Sequence, residues 1–268
     1  MDWIQALVLG VVQGLTEFLP ISSTAHLRIV PHLLDWQDPG AEFSAVIQLG
    51  TLLAVIFFFW NDVLSLSRAA MVSLWNRKLF ETSDSKLAWS IAAGTIPVAI
   101  AGWGFKDIIK TDARQLWIIG TALVILALGL YAAERFSQQN RQIGELKFLQ
   151  IQLIGLTQAL ALIPGCSRSG STIMGGLILG LKREEAARFS FLLGIPAIFG
   201  SGIYELAELL ETGINSSDYL NLFVGIFASF VVGYLSIEFL LRFIKIHGTL
   251  AFVIYRILLG TGVLVLFV

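Results

Sequence analysis

The chain has 268 residues, of which 56% are hydrophobic and only 14% are charged. Soluble domains carry about a quarter charged residues, so this composition and the mean hydropathy of +0.79 indicate an integral membrane protein. The formal net charge of -1 provides no broad basic surface for nucleic acid, and we expect no nucleic-acid partner. Long apolar runs recur along the whole sequence and predict a single all-α membrane domain over residues 1–268.

The first predicted element is a broken helix. An apolar stretch at about residues 3–19 stops at Pro20, and a serine-rich turn and a shorter apolar piece follow it. A second stretch of the same kind, at about residues 148–163, stops at Pro164. Proline interrupts a helix, and irregular backbone at membrane depth has to be buried in protein or line a polar cavity. Both stretches therefore predict re-entrant helix hairpins.

Six further segments are long and apolar enough to cross about 30 Å of hydrocarbon. Three of them follow the first broken helix and three follow the second. In chain order they lie at about residues 41–60, 87–105, 116–133, 186–204, 219–241 and 249–268. The sequence therefore predicts six transmembrane helices in addition to the two hairpins.

The basic residues predict the orientation of these elements, because Lys and Arg in short loops favour the cytoplasmic side. They concentrate near residues 61–86, 134–147, 182–188 and 242–247, whereas residues 205–218 carry acids and neither Lys nor Arg. This distribution places both termini outside. The first hairpin then enters from the outer side and the second from the cytoplasm, which predicts an inverted-topology repeat.

A weak similarity between the two halves, approximately residues 1–135 and 145–268, agrees with this inversion. The matching residues are Gly10, Gln13, Leu15 and Pro20 in the first half and Gly155, Gln158, Leu160 and Pro164 in the second. Inverted repeats with broken helices place their polar site near the bilayer midplane, where the half-helix ends meet. We therefore expect Pro20 and Pro164 to be neighbours.

The first hairpin brings polar groups to membrane depth. A carboxylate there costs about 2.5–3.5 kcal/mol even on the most lenient insertion scale, so Glu17 is a functional candidate. Gln13 stands four residues earlier on the same helix face, and the two can share one ligand. His26 lies within one turn of the serines after Pro20 and can serve as their general base or protonate a leaving oxygen. The hydroxyls that begin the returning helix, where free N–H groups favour anions, are Ser22, Ser23 and Thr24.

The second hairpin gives the sharper signal. Gly165 and Gly170 permit a close backbone approach, and Arg168 offers a permanently charged fork that matches phosphate oxygens. The surrounding hydroxyls are Ser167, Ser169, Ser171 and Thr172. Taken singly, these residues also fit structural roles, the serines as helix caps and Glu17 as the partner of Arg168.

These two motifs make the chain similar, over essentially its full length, to the bacterial undecaprenyl-diphosphate phosphatase family associated with bacitracin resistance. The residues that match the first family motif are Gln13, Glu17, Ser22, Ser23 and His26. Those that match the second are Pro164, Gly165, Ser167, Arg168, Ser169 and Thr172. Many members carry Glu where this chain has Gln13, and this departure weakens a metal site built on two carboxylates.

The resemblance implies that undecaprenyl diphosphate is hydrolysed to undecaprenyl phosphate and inorganic phosphate. The reaction would take place at the outer, periplasmic side of the bacterial inner membrane and recycle the lipid carrier for peptidoglycan and other envelope polymers. The resemblance also implies a divalent cation, Mg²⁺ or Ca²⁺, for which Glu17 and Gln13 are the candidate ligands. The sequence neither requires nor excludes a homodimer.

The site residues give a hypothesis for the reaction. Ser23 attacks the terminal phosphorus, His26 manages the proton, and Arg168 stabilises the equatorial oxygens. Direct attack by water is an alternative for the first step. The additional phosphate-binding candidates are Ser22, Thr24, Ser167, Ser169 and Thr172. The alternative function is an anion or lipid-phosphate transporter or a flippase, since such carriers share the inverted-repeat architecture.

Overall fold

The computed structural model describes residues 1–212 and 216–267, and these residues form twelve α-helices and three short 3-10 helices. The α-helices are α1 (Trp3–Glu17), α2 (Ser23–Leu33), α3 (Gly40–Phe58), α4 (Trp60–Trp75), α5 (Ser83–Gly104), α6 (Lys106–Lys110), α7 (Leu116–Phe136), α8 (Phe148–Ala159), α9 (Arg168–Ile178), α10 (Arg183–Thr212), α11 (Ser216–His247) and α12 (Leu250–Phe267). The all-α architecture predicted from the sequence is confirmed.

Six of these helices are long and apolar enough to cross a membrane, namely α3, α5, α7, α10, α11 and α12. Each coincides with one of the predicted crossings. The main difference lies in α10 and α11, which extend beyond the predicted apolar segments at both ends. Hydropathy detects only the part of a helix that lies in hydrocarbon, whereas backbone hydrogen bonding continues the helix into its polar flanks.

The segment at residues 61–86, predicted as a loop, is largely helical. Helix α4 starts directly after Phe59, and the Trp89 indole N–H of α5 donates to the Ser73 hydroxyl of α4 at 2.9 Å. Helix α4 mixes polar residues with apolar ones, so a search for continuous hydrophobic runs does not detect it. Its outer face carries well-exposed apolar side chains such as Met71 and Trp75.

Two broken helices precede the two sets of spans, as predicted. Helix α1 ends at Glu17 and α2 begins at Ser23, whereas α8 continues into a 3-10 turn (Leu160–Leu162) before α9 begins at Arg168. The order of a broken helix followed by three apolar spans therefore occurs twice. The entry of these hairpins into the membrane from opposite sides stays a prediction.

Glycines allow the broken helices to pack closely against complete spans. A Cβ atom on Gly14 of α1 would lie 2.8 Å from the Gly233 nitrogen of α11, and one on Gly155 of α8 would lie 2.3 Å from the Gly94 carbonyl oxygen of α5. Close backbone approach of this kind is typical of helix packing in membranes. Pro20 and Pro164, at the two breaks, are both buried, as irregular backbone at membrane depth requires.

Candidate active site

The two breaks in the broken helices meet. The Ser169 hydroxyl at the start of α9 lies 3.2 Å from the Glu17 carbonyl oxygen and 3.1 Å from that of Leu19, both in the first hairpin. These contacts join residues that are about 150 positions apart in the chain. The predicted proximity of the breaks at Pro20 and Pro164 is therefore confirmed.

Arg256 of α12 fastens the two breaks together. Its side chain is fully buried, and Nη1 donates to the carbonyl oxygen of Pro20 at 3.0 Å and to that of Cys166 at 3.2 Å. Nη2 donates to the Gly165 carbonyl at 2.9 Å, and Nε donates to the Leu123 carbonyl at 3.2 Å. Within residues 1–212 and 216–267, its side-chain hydrogen bonds all go to backbone carbonyls, so a cation stands behind the site without a carboxylate partner.

The sequence interpretation missed Arg256, because it lies inside the apolar segment predicted as the last crossing. A signal was present, since an ionisable residue in the middle of a transmembrane segment is a functional candidate by default.

Helices α2 and α9 begin in the same way. Their N-cap residues, Ser22 and Ser167, have positive φ angles of 74° and 68°. The Ser167 hydroxyl accepts the Gly170 N–H at 3.1 Å, and the Ser22 hydroxyl accepts the Ala25 N–H at 3.4 Å. In the described part of the chain, the first two N–H groups of each helix donate to no protein acceptor, which leaves them available to an anion. These N–H groups belong to Ser23, Thr24, Arg168 and Ser169.

Glu17 is the centre of the hydrogen-bond network between the hairpins. Its side chain is buried, and Oε2 accepts from the Ser23 hydroxyl at 2.6 Å and from Gln13 Nε2 at 2.8 Å. Oε1 accepts from Arg168 Nη2 at 2.8 Å. The carboxylate therefore holds a hydroxyl of its own hairpin and the guanidinium of the other hairpin at the same time.

The guanidinium of Arg168 lies against α10, which offers it a hydrogen-bond acceptor and a gap between side chains. Nη1 donates to the Ser190 carbonyl oxygen at 3.5 Å. Four residues later, Gly194 has no side chain, and a Cβ atom there would lie 1.5 Å from Nη1. The position of Arg168 is therefore set by Glu17 on one side and by Gly194 on the other.

His26 does not contact the Ser23 hydroxyl. Its Nδ1 lies 2.7 Å from the Ser22 carbonyl oxygen, and its Nε2 lies 2.6 Å from the Tyr255 hydroxyl of α12. The structure thus pairs Ser23 with Glu17, and it gives His26 a partner, Tyr255, that the sequence interpretation did not include. No local spacing rule relates residues 229 positions apart.

The four remaining predicted phosphate-binding hydroxyls fall into two groups. Ser169 contacts carbonyls of the first hairpin and so joins the two hairpins. Thr172 Oγ1 donates to the Arg168 carbonyl at 2.8 Å and holds the start of α9 in shape. The Ser22 and Thr24 hydroxyls lie 3.1 Å apart at the start of α2, beside the free N–H groups. The latter pair is better placed to contact an anion.

The predicted cation ligands lie side by side. Gln13 donates its amide N–H to Glu17, and its Oε1 is buried and has no hydrogen-bond partner among the residues that the structure describes. The described residues contain no group of three or more His, Cys, Asp or Glu that is arranged to hold a metal ion. The oxygen atoms of Glu17 and Gln13 fit a hard cation that takes most of its ligands from substrate oxygens.

Known proteins resemble this chain over nearly its whole length. The family model described as bacitracin resistance protein BacA matches residues 6–262. The chain belongs to this family. Its relatives include the undecaprenyl-diphosphatase of Chloroherpeton thalassium, which is 52% identical over 98% of this chain and 96% of the relative. The undecaprenyl-diphosphatase of Myxococcus xanthus is 50% identical over 99% of this chain and 89% of the relative.

In this BacA-family chain, both sequence motifs converge on one buried polar site. The first motif contributes Glu17, Ser23 and His26, and the second contributes Arg168 and the start of α9. Helix α12 adds Tyr255 and Arg256, which belong to neither motif. The site therefore combines a hydroxyl held by a carboxylate, a guanidinium and two helix N termini.

Proposed function

We propose that this membrane protein is an undecaprenyl-diphosphate phosphatase, which hydrolyses undecaprenyl diphosphate to undecaprenyl phosphate and inorganic phosphate. Family membership and the names of relatives about half identical to this chain support the substrate. The observation that carries the chemistry is the contact of the Ser23 hydroxyl with Glu17, beside Arg168 and the free N–H groups of α2 and α9. A nucleophile, a base and an anion site are thereby brought together.

The terminal phosphate of the substrate would bind between the N termini of α2 and α9. The free N–H groups there carry partial positive charge, and the helix dipoles add to the attraction for an anion. Arg168 contacts two phosphate oxygens through its planar fork, and the Ser22 and Thr24 hydroxyls lie within reach of the same group. Arg256 adds a fixed positive charge behind both breaks.

The Ser23 oxygen is then the nucleophile. It attacks the terminal phosphorus while Glu17 Oε2, which already accepts the Ser23 proton at 2.6 Å, takes up that proton. The bond between this phosphorus and the bridging oxygen breaks, and undecaprenyl phosphate leaves. Water next attacks the phosphoserine and gives a proton to His26, which has protonated the leaving group. The bond between phosphorus and the Ser23 oxygen breaks, Glu17 returns its proton to that oxygen, and inorganic phosphate and free Ser23 are released.

Glu17 serves this role better than His26, which the sequence hypothesis had assigned to the Ser23 proton. Neither ring nitrogen of His26 contacts the Ser23 hydroxyl, which donates to Glu17 instead. We assign His26 to the proton given to the leaving group, as the second of the two roles considered from the sequence. Direct attack by water would leave Ser23 only as a phosphate ligand, and rapid quenching during turnover separates the two routes by the presence or absence of phosphoserine.

A divalent cation, Mg²⁺ or Ca²⁺, is part of the proposal. Glu17 and the unpartnered Oε1 of Gln13 are the oxygens that would hold it, together with the diphosphate. When bound, the cation would neutralise negative charge on the diphosphate and so favour attack by the Ser23 oxygen. The expected consequence is that a chelator stops turnover and that added Mg²⁺ or Ca²⁺ restores it.

We further propose that the site opens to the outer side of the bacterial inner membrane. Support comes from the basic residues, which concentrate on the loops assigned to the cytoplasm, and from the acidic segment at residues 205–218 on the other side. Turnover there would return the lipid carrier to envelope synthesis and confer bacitracin resistance. All side chains of the proposed site come from one chain.

Phosphate release from a polyprenyl diphosphate by the purified protein in detergent tests this function. We expect metal-dependent release by the wild type and by Ser65→Ala, which alters an exposed hydroxyl on α4, and at least a thousandfold loss in Ser23→Ala. A wild type that releases no phosphate with any divalent cation, yet moves the lipid or an anion across proteoliposomes, would instead establish the transporter alternative.

A further inference from the structure

His26 is held at both ring nitrogens, and the nature of its partners fixes where its protons lie. The Ser22 carbonyl oxygen, 2.7 Å from Nδ1, can only accept, so Nδ1 carries hydrogen. In neutral His26, Nε2 is therefore the lone-pair nitrogen, and the Tyr255 hydroxyl at 2.6 Å donates to it. The tautomer of His26 thus follows from the Ser22 and Tyr255 contacts together.

The contact between Tyr255 and His26 is geometrically well defined. The two ring planes lie within 7° of each other, with their centroids 5.7 Å apart. Arg256, the next residue of α12, is clamped to carbonyls of both breaks, including that of Pro20 at 3.0 Å. Because adjacent residues of one helix move together, this clamp also fixes the backbone of Tyr255 relative to the start of α2.

His26 is buried and exchanges protons at Nε2 through Tyr255. Its exposed fraction is 8%, and Nε2 lies 2.6 Å from the Tyr255 hydroxyl. A proton that enters or leaves Nε2 along the existing hydrogen bond has to pass through the Tyr255 oxygen. When Nε2–H gives its proton to that oxygen, the tyrosine releases its own hydroxyl proton and ends the transfer neutral.

We propose that Tyr255 is a positioning residue that holds His26 in the Nδ1–H tautomer and passes protons to and from Nε2 through its hydroxyl group. This role rests on the proposed function, in which His26 supplies the proton for the leaving group. Neither family-type motif in the sequence contains Tyr255. The residue is assigned by its contact across the fold from α12 to α2.

Tyr255→Phe removes the hydroxyl and keeps the ring, so it isolates this contact. Nitrogen-15 NMR of protein labelled at histidine observes only three imidazoles, and His26→Gln assigns the His26 signals. We expect Nε2 of His26 to shift toward the value of a free lone pair in Tyr255→Phe, while Nδ1, still bound to the Ser22 carbonyl, keeps its signal. Tyr234→Phe, which alters a half-exposed tyrosine packed against Phe58, should change neither nitrogen.

The kinetic consequence separates positioning from substrate binding. We expect kcat for phosphate release to fall about tenfold in Tyr255→Phe, with KM within about twofold of the wild-type value, because one hydrogen bond to His26 is lost. Tyr234→Phe should retain wild-type kcat. An unchanged His26 Nε2 signal, or a shifted signal with unchanged kcat, would overturn the inference. A wild type without phosphatase activity would contradict the proposed function, and the nitrogen signals would then still test the Tyr255 contact.

Discussion

Gly194→Ala tests whether the position of Arg168 controls turnover. The added methyl would lie 1.5 Å from Arg168 Nη1, so the guanidinium has to move by about 2 Å to reach ordinary van der Waals separation. Such a displacement breaks the 2.8 Å hydrogen bond between Nη2 and Glu17 Oε1. Misplacement of a positioning group by about 1 Å costs roughly a hundredfold in rate, so we expect kcat/KM to fall at least that far.

Gly200→Ala on the same helix is the matched control, because no atom of residues 1–212 or 216–267 lies within 4 Å of a Cβ atom at that position. Alanine is favoured over glycine inside a helix by about 1 kcal/mol, so neither variant should weaken α10 through its backbone. The assay is initial-rate phosphate release from polyprenyl diphosphate in detergent, with Tm measured on the same preparations. We expect Gly200→Ala to match the wild type in rate.

A Gly194→Ala protein that keeps its Tm and turns over within about threefold of the wild type would refute this reasoning. It would mean either that Arg168 tolerates a shift of about 2 Å or that it does not bind the reacting phosphate. Loss of rate in both alanine variants would point to α10 in general and would also count against a specific role for the Arg168 position.

Three further predictions concern other parts of the network. Glu17→Gln keeps the side-chain shape but removes the base for Ser23, and single-turnover phosphate release should fall about a thousandfold or more; activity above a tenth of the wild type would contradict this. Arg256→Lys keeps a charge but loses the planar fork that reaches several carbonyls. The free energy of unfolding should fall by about 2 kcal/mol and Tm by roughly 5 °C. An unchanged Tm would show that Arg256 does not hold the two breaks together. Burial disfavours the charged form of Lys110, but its hydrogen bonds to Glu208 and Glu205 outweigh burial and raise its pKa. A raised pKa in the folded state stabilises the fold at pH values below the unfolded-state pKa, and this stabilisation is lost as the pH rises through the folded-state pKa. Lys110→Met should therefore lower Tm at neutral pH. The wild type should keep its higher Tm until the buffer is strongly alkaline. A difference in Tm that vanishes by about pH 8 would contradict the stabilising role of the charged Lys110.

The sequence predicts the residues of both hairpin motifs well, because polar residues and prolines are conspicuous in apolar segments. Glu17 and Arg168 stand out for this reason, and their pairing across the two hairpins is found in the structure. The six spans are visible for a related reason, since the hydrocarbon thickness imposes a minimum apolar length. Helix α4 does not meet this criterion because polar residues interrupt its apolar ones.

The partners of the reacting groups were not predictable from local spacing. Ser23 and His26 are one turn apart, which suggests that they pair, but the irregular backbone between α1 and α2 turns the Ser23 hydroxyl back to Glu17. Tyr255 and Arg256 act through tertiary packing of α12 against both breaks, and sequence periodicity carries no information on such contacts. Arg256 was nevertheless marked by its charge inside an apolar segment.

The most direct test of a single hydrolytic site shared by the two hairpins is a double-mutant cycle on phosphate release. Ser23→Ala removes the nucleophile of the first hairpin, and Arg168→Ala removes the guanidinium of the second. If both act on one phosphate, each change should lower kcat/KM by about a thousandfold or more, and the double variant should be little worse than the poorer single variant. Losses that multiply, or near-normal turnover in either single variant, would contradict a shared site.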